Sequence, residues 1–440
     1  MRILLCQSYL GIKSGEPLVF PLGLAYLVST VKEKHELRCF DPNVSESPFK
    51  ELSDIIDKFN PDVVGVSLRN LDSVFSFRKH SYYPEFKRLI RLIKQQKPDC
   101  KLVVGGAGFS IFAEEIMKEN VEIDFGIISE GEISLLKLVE NLDKPSVVPN
   151  LIFRSNGHTI LTYQTVVAFD LSLKPSRELF EIKRYRDALF SMGVQSKRGC
   201  GFNCPFCSKR VQGGNACRIR PAKAVVDELE GLINEFEVDT CFFVDSTFNF
   251  PVQHCKEICE EIIKRRLDLR WSADFRPDFL NESLMKLCVQ AGCSWFGFSP
   301  DGASDSTMSL LGKNFGLQHV EKTFDLARKT EGAKVGYSFL YDLPFCNREN
   351  TVGLIRLVSK MINSCGRKVR YVTFSRIRIY PRTRFYQIAL EQRKINEDTN
   401  LLYPTYYTSG SRLKIENLLT VALRNEFRLF AKVTGNARKS

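Results

Sequence analysis

The residues of this sequence best suited to chemistry are three cysteines in one short loop. Cys200, Cys204 and Cys207 follow one another at offsets of four and then three, in the run Cys-Gly-Phe-Asn-Cys-Pro-Phe-Cys. Thiolates are soft ligands that suit iron–sulfur clusters or zinc. A 4Fe-4S cluster takes four ligands and this loop supplies three, so one iron would stay open for a substrate. The alternatives are a zinc site that lacks its fourth ligand, or three unrelated thiols.

The other cysteines, among 14 in the chain, give weaker indications. Five lie in apolar runs and are predicted to be small core residues: Cys6, Cys39, Cys241, Cys288 and Cys293. Cys255 and Cys259 are one helical turn apart, and because the sequence places no third thiol beside them we do not expect a second cluster there. Cys217 and Cys346 fall in loops near the predicted site.

Composition narrows the class of protein. The 440 residues are enough for two or three domains with real cores. No apolar run reaches the length of a membrane span, and the N-terminus lacks the pattern of a signal peptide, so we expect a soluble, cytoplasmic protein. The net charge of +12 fits a nucleic-acid, membrane-surface or acidic-substrate partner, or a solvated surface. Because no nucleic-acid-binding module accompanies the charge, we expect no nucleic-acid partner.

The first 150 residues alternate between short apolar runs and helical patterns. Five such strand–helix units predict an α/β domain with a doubly wound parallel sheet of the flavodoxin or Rossmann-like kind. Sheets of this kind bind ligands beyond the carboxyl ends of the strands, at the switch point. The predicted loops there, residues 7–21 and 68–82, are long for this fold, which indicates a large ligand.

The rest of the chain divides into three predicted parts. Residues 151–190 are read as a linker with a short hairpin, and residues 191–392 as six strand–helix units, a partial (βα)6 TIM-like barrel. Residues 393–440 are read as a C-terminal cap with a basic helix at 415–433. Polar residues follow the barrel strands, at the end where such barrels place their chemistry: Asp245, Arg276, Ser299 and Asp301. The alternative for each is an ordinary loop or helix-capping role.

Residues 191–392, with their cysteine loop, resemble the radical S-adenosylmethionine (SAM) superfamily. In that family the amine and carboxylate of SAM chelate the open iron, and one electron cleaves SAM to methionine and a 5'-deoxyadenosyl radical. The resemblance implies that Phe206 packs near the adenine and that Asp245 contacts the methionyl end. It also implies that Arg276, Ser299 and Asp301 contact the carboxylate and ribose.

Residues 1–150 resemble the cobalamin-binding domain that precedes many radical SAM barrels. The resemblance is carried by Pro21-Leu-Gly-Leu-Ala-Tyr-Leu, Val103-Val-Gly-Gly-Ala-Gly and Ile128-Ser-Glu-Gly-Glu, and it implies cofactor contacts from Gly105, Gly106, Gly108 and Glu130. The Asp-x-His-x-x-Gly motif that supplies a histidine to cobalt is absent. We therefore hypothesise that Arg69, just past the third strand, faces cobalt instead. A surface pairing of Arg69 with Asp72 is the alternative.

Both resemblances together imply three cofactors: a 4Fe-4S cluster, S-adenosylmethionine and cobalamin. We expect a radical SAM enzyme that methylates an unactivated carbon of a small natural-product, lipid or pigment substrate. It would draw electrons from an external one-electron reductant of the flavodoxin or ferredoxin type. The alternatives are ring formation or rearrangement with the same cofactors, a tRNA methylthiotransferase, or a non-catalytic iron–sulfur or corrin sensor.

Overall fold

The computed structural model describes residues 1–11, 17–73, 79–165, 170–209, 214, 216–345 and 347–409. The chain divides into two compact units. The first unit comprises Met1–Gly201, Cys207–Ser246 and Asn400–Pro404, and the second comprises Phe202–Phe206, Thr247–Thr399 and Thr405–Ser440. Cys346 and the predicted basic helix at 415–433 lie outside the described residues. In the described part, no helix combines the length and apolar character needed to cross a bilayer.

The N-terminal part of the first unit alternates strands and helices around one sheet. Its elements are β1 Arg2–Gln7, α1 Leu22–Val31, β2 Glu36–Phe40, α2 Pro48–Phe59, β3 Val63–Ser67, α3 Tyr83–Gln96, β4 Lys101–Gly105, α4 Ala107–Ile111, α5 Ala113–Glu119, β5 Phe125–Ile127, α6 Glu132–Glu140, β6 Leu151–Ser155 and β7 His158–Leu161. The strand order is β2-β1-β3-β4-β5-β6-β7, and β1 to β5 are parallel. This is the predicted flavodoxin-like order, with the switch point between β1 and β3.

The local sequence explains why these strands are central. Ile3, Leu4 and Leu5 are consecutive and fully or almost fully buried, as expected when helices cover both faces of a parallel sheet. The helices α2 and α3 each begin with a proline in their first turn, where the missing N–H does no harm.

Two details of this region differ from the prediction. The helix expected over 110–118 is broken at Phe112 into α4 and α5. The hairpin assigned to the linker instead extends the first sheet, because β6 pairs antiparallel with β5 and buries Leu151, Ile152 and Phe153.

The rest of the first unit begins the second alternation of strands and helices. Its elements are α7 Ile182–Arg186, β8 Gly193–Val194, β9 Lys197–Arg198, β10 Arg218–Ile219, α8 Ala222–Phe236 and β11 Thr240–Phe243. Strands β8 and β11 are parallel, whereas β9 and β10 pair antiparallel. Because Arg198 lies opposite Arg218, both ends of the segment that carries the cysteines are held together.

The second unit continues the alternation with longer strands. Its elements are α9 Val252–Lys264, β12 Arg270–Phe275, α10 Glu282–Gln290, β13 Cys293–Asp301, α11 Asp305–Leu310, α12 Leu317–Lys329, β14 Val335–Leu340, α13 Asn347–Cys365, β15 Val369–Ser375 and α14 Arg384–Glu391. Strands β12 to β15 are parallel and pair in chain order. Short helix α11 was not predicted; it starts where the Ser304 side chain accepts a hydrogen bond from the Thr307 N–H.

Candidate functional site

The segment that carries the three cysteines is divided between the two units, and we describe each unit by itself. Cys200 and Cys207 belong to the first unit, and Cys204 lies in the Phe202–Phe206 segment of the second. All three thiols are partly exposed, whereas Cys6, Cys241 and most other described cysteines are buried. Partly exposed thiols in one loop are a donor set that fits an iron–sulfur cluster.

Asp245, which follows β11, holds the strand that leads into the loop. Its carboxylate accepts hydrogen bonds from the Ser196 N–H at 2.9 Å and the Lys197 N–H at 3.2 Å. It also accepts one from the Ser196 hydroxyl, and the Lys197 ammonium lies 3.9 Å away. Asp245 is 3 % exposed, so this carboxylate already positions the chain just before Cys200. A contact with the methionyl end of SAM stays a prediction.

Cys217 directly precedes β10, and its thiol is close to groups that surround the start of the cysteine loop. Burial raises the pKa of its thiol, and the charges of Lys197, Asp245 and Cys200 also act on it. Arg218, the residue after Cys217, pairs with Arg198 two residues before Cys200, so Cys217 lies near the cluster loop as its position in the sequence predicts.

Arg276, at the end of β12, holds the part of the loop that lies in the second unit. Its guanidinium forms a bidentate ion pair with the Asp278 carboxylate, from Nε at 3.0 Å and from Nη2 at 2.8 Å. The same group stacks on the ring of Phe202, 3.9 Å from the centroid. Asn249 exchanges two hydrogen bonds with the Arg276 backbone, at 2.8 and 2.9 Å. Arg276 thus positions the residue between the first two cysteines, and its predicted contact with SAM stays a prediction.

Gly312 and Lys313, which the sequence analysis missed, lie against the same segment. Gly312 has a φ of +70°, and a Cβ there would lie 2.8 Å from the Asn203 carbonyl oxygen. Glycine is therefore required on both counts. The ammonium of Lys313 lies 5.9 Å from the ring centroid of Phe206. Phe206 also packs edge-on against Phe385.

Lys313 forms a buried ion pair with one of the predicted site residues. Its ammonium lies 2.6 Å from the Asp301 carboxylate and 3.0 Å from the Ser299 carbonyl oxygen. Burial opposes the charge, yet Asp301 and the Cys204 thiol raise the pKa of Lys313 above its ordinary value. A permanent positive charge therefore lies near Cys204. The Ser299 side chain is exposed, and its role stays a prediction, as does a ribose contact from Asp301.

Glu130 joins the predicted cobalamin motif to the base of the cysteine loop. Its carboxylate forms a bidentate ion pair with the Arg218 guanidinium, in which the Nη1–Oε2 distance is 3.0 Å. The same carboxylate lies 3.5 Å from the Arg198 guanidinium. Glu132 binds Arg198 at 2.6 Å, with both side chains only 7 % exposed. The two acids after β5 therefore hold β9 and β10, the strands that bracket the loop. Arg198 and Arg218, which flank the loop in the sequence, are the signal that could have indicated this contact.

The glycine-rich turn after β4 makes room for neighbouring backbone. Gly106 has a φ of +97°, and a Cβ there would lie 2.8 Å from the Leu68 carbonyl oxygen. The Gly108 N–H donates to the carbonyl oxygens of Leu68 and Arg69, each at 2.9 Å. A Cβ on Gly105 would meet only ordinary contacts, the nearest at 3.5 Å. The glycines thus shape the loop after β3, and direct contact with cobalamin stays a prediction.

Arg69 lies in that loop near a buried acid that the sequence analysis missed. Burial raises the pKa of Asp41, an effect that Tyr185, Asn43 and the charge of Arg69 oppose. Tyr185 donates to Asp41 at 2.5 Å, and Asn43 holds the loop after β1 through the Leu10 N–H at 2.9 Å. Arg69 is thus at the switch point, and its orientation toward cobalt stays a prediction.

Ser8 supports a ligand at this edge of the sheet. It directly follows β1, its side chain is fully buried, and its hydroxyl has no hydrogen-bond partner among the described residues. A buried, unsatisfied hydroxyl at the switch point fits a site that a polar cofactor completes.

One statement from the sequence analysis is wrong. Cys255 and Cys259 do have a third thiol beside them, because α10 brings Cys288 to within 4.8 Å of both sulfurs. The sequence pattern did not indicate Cys288 because this residue comes from the next helix, 29 residues after Cys259.

A cavity of about 870 Å³ also lies in the second unit, between α11, α12 and α13. Charged side chains of both signs line it, among them the ion pair of Lys360 with Glu321 at 2.6 Å. It includes none of the predicted site residues.

Each of the two predicted domains matches a known protein family. The B12 binding domain matches residues 11–139, and the Radical SAM superfamily matches residues 194–358. An uncharacterized methyltransferase of Pyrococcus horikoshii is 27 % identical over 376 residues, which are 84 % of this chain and 78 % of that protein. The hopanoid C-3 methylase of Methylococcus capsulatus is 24 % identical over 75 % of this chain, which spans 62 % of that enzyme. An anaerobic magnesium-protoporphyrin IX monomethyl ester cyclase of Rubrivivax gelatinosus is 26 % identical over 70 % of this chain, which spans 56 % of it.

Solved structures share the fold. The radical SAM methyltransferase TsrM from Kitasatospora setae, with cobalamin and a [4Fe-4S] cluster bound, superposes with a TM-score of 0.77 at 21 % identity, over 89 % of this chain and 78 % of that one. The cobalamin-dependent SAM radical enzyme OxsB superposes with a TM-score of 0.74 at 17 % identity, over 96 % and 66 %. The predicted fold class is confirmed, with a Rossmann-like B12 domain and a partial barrel. The chain therefore carries a B12 binding domain followed by a radical SAM domain, and proteins of this combination use cobalamin, S-adenosylmethionine and a 4Fe-4S cluster.

Proposed function

We propose that this enzyme transfers a methyl group to an unactivated carbon of a small natural-product, lipid or pigment substrate. The observation that carries the proposal is the pair of ion contacts from Glu130 and Glu132 to Arg218 and Arg198. They connect the B12-binding part of the chain to the two strands that bracket the cluster loop. Such a connection is expected when two cofactors serve one substrate.

The cofactors supply the hard chemistry. When bound, the cluster and S-adenosylmethionine supply a radical that abstracts hydrogen, and cobalamin supplies the methyl group. Cys200, Cys204 and Cys207 would hold the cluster, and the switch-point loops after β1 and β3 would hold cobalamin. In the first unit Asp245 holds Ser196 just before the loop; in the second unit Arg276 stacks on Phe202, and Lys313 places positive charge near Cys204.

The substrate class rests on similarity. The names of two relatives specify carbon methylation, at hopanoid C-3 and at tryptophan carbon 2. An external one-electron reductant of the flavodoxin or ferredoxin type would deliver the electron, and a cytoplasmic location fits that partner.

Ring formation with the same cofactors is the second candidate. It is favoured by the 26 % identity with the magnesium-protoporphyrin cyclase. A tRNA methylthiotransferase is less well supported, because it needs further cluster cysteines and the N-terminal Cys6 and Cys100 are buried.

The test uses reduced, anaerobic full-length enzyme with SAM carrying a deuterated methyl group. For a methyltransferase we expect 5'-deoxyadenosine, S-adenosylhomocysteine and a product heavier by the labelled methyl. The Cys200→Ala, Cys204→Ala, Cys207→Ala triple variant should form no 5'-deoxyadenosine. A product without the label would favour ring formation, and 5'-deoxyadenosine from the triple variant would refute the cluster assignment.

A further inference from the structure

Three buried thiols meet in the second unit, apart from the cluster loop in sequence. Cys255 and Cys259 lie one turn apart on α9 and therefore share a face of that helix. Cys288 comes from α10, and the three sulfur atoms all lie within 4.8 Å of one another. All three residues are fully buried.

This arrangement differs from that of the other core cysteines. Cys241 and Cys365 are also buried, as small apolar residues usually are. In the described part of the chain, the thiols of Cys255, Cys259 and Cys288 form the one group of three or more metal-ligating side chains that meet this closely. Two sulfurs of the group, from Cys259 and Cys288, are 3.8 Å apart.

The spacing fits a single metal ion. Zinc binds thiolate sulfur at about 2.3 Å in a tetrahedron, which puts neighbouring sulfurs about 3.8 Å apart. That agrees with the separation of the Cys259 and Cys288 sulfurs, 3.8 Å. Sulfurs within 4.8 Å of one another leave no room between them for a cube of four irons and four sulfides. The ligand set is all thiol, which selects soft metals such as zinc or copper(I).

A fourth buried thiol, Cys293, follows Cys288 by five residues in the chain. Cys293 is the first residue of β13 and is 3 % exposed. It comes three residues after the end of α10, the helix that carries Cys288, and its sulfur lies outside the group within 4.8 Å of one another. Its own S–H points at the Trp295 carbonyl oxygen, 3.5 Å away, so rotation about its side-chain bond would present the sulfur elsewhere.

We propose that Cys255, Cys259 and Cys288 bind one zinc ion, with Cys293 as the fourth ligand. A site with four protein ligands is closed to water and substrate, so its role is structural. The ion would link α9 and α10 to the start of β13. Arg276 follows the neighbouring strand β12, and Asp301 is the last residue of β13. Binding replaces the four thiol protons by zinc, so four protons are released to solvent.

The experiment must first prevent the cluster loop from capturing zinc. Full-length Cys200→Ala, Cys204→Ala, Cys207→Ala protein serves as the background, and zinc, copper and iron are measured by mass spectrometry of purified, dialysed protein. We expect about one zinc per chain and no stoichiometric copper. Adding Cys288→Ala should reduce the zinc at least tenfold, whereas adding Cys365→Ala, a matched buried cysteine of the same unit, should leave it unchanged.

A second measurement needs no substitution in the core. The zinc of the background protein is exchanged for cadmium-113, whose NMR shift reports the number of thiolate ligands. Four thiolates are expected, and three after Cys293→Ala. Absence of zinc from the folded background protein, zinc retained after Cys288→Ala, copper in its place, or an unchanged cadmium shift after Cys293→Ala would overturn the proposal.

Discussion

Single residues around the cysteine loop act by holding it and by placing charge near it. Arg276 stacks on Phe202 and Asp245 holds Ser196 and Lys197. Lys313 is the one whose charge bears directly on redox chemistry, because it is buried against Asp301 and acts on Cys204. Replacing Lys313 by an unbranched apolar residue removes its charge and keeps most of its packing.

We expect Lys313→Met to lower the reduction potential of the cluster. Reduction adds negative charge, which the ammonium stabilises. A unit charge at roughly 5 to 10 Å is worth about 2 to 3 kcal/mol at an effective dielectric near 20, or on the order of 100 mV for one electron. A potentiometric titration followed by paramagnetic resonance measures the shift. Lys322→Met, on the exposed face of α12, is the control; an equal potential in the two variants would contradict the prediction.

At the scale of elements, the strands β9 and β10 depend on acids from another part of the first unit. Glu132 and Arg198 form a buried pair, at 2.6 Å. On the same helix, Glu140 pairs with Lys34 at 2.7 Å, but those side chains are 39 % and 64 % exposed. The two pairs on α6 therefore differ mainly in burial.

Glu132→Gln should lower the free energy of unfolding by about 3 to 5 kcal/mol, because it leaves the buried Arg198 guanidinium without its closest partner. Glu140→Gln should change it by less than about 1 kcal/mol, since exposed ion pairs contribute little. Denaturant unfolding followed by circular dichroism measures both variants, and iron content shows whether the cluster loop loosens. Equal stability of the two would mean that burial does not matter here.

At the scale of the whole molecule, two cofactor-binding parts are carried on one chain. The B12 match ends at residue 139, and the radical SAM match begins at 194. The predicted cobalamin contacts thus use no cysteine of the loop. Binding of cobalamin should therefore not need the cluster.

We expect the full-length triple variant of Cys200, Cys204 and Cys207 to bind about one cobalamin per chain, as the unaltered enzyme does. Gly106→Ala should weaken that binding at least tenfold. Its Cβ would approach the Leu68 carbonyl oxygen to 2.8 Å and displace the loop after β3. Gly157→Ala, in the β6–β7 hairpin with nothing within 4 Å, is the control for the positive φ. Equilibrium dialysis with visible spectra measures binding, and loss of cobalamin in the triple variant would contradict independent binding.

The sequence by itself determined the features that depend on local spacing. Strand and helix periodicity predicted the five strand–helix units that carry β1 to β5 and the six strand–helix units of residues 191–392, because each pattern lies within one element. The cysteine offsets placed Cys200, Cys204 and Cys207 in one loop. Asp245 and Arg276 follow β11 and β12 as predicted, for the same reason, whereas Ser299 and Asp301 lie within the last residues of β13.

Only the tertiary structure decided which distant residues meet. Glu130 and Arg218 are 88 residues apart, and Cys259 and Cys288 are 29 apart, so neither contact follows from any short pattern. The contact of the glycines after β4 with cobalamin stays a prediction, and the structure adds that Gly106 and Gly108 accommodate the backbone of Leu68 and its neighbours. Lys313 belongs to no motif of the sequence analysis, and its charge matters only because folding buries it against Asp301 and near Cys204. Local sequence fixes what an element is, whereas burial and charge pairing depend on which elements pack together.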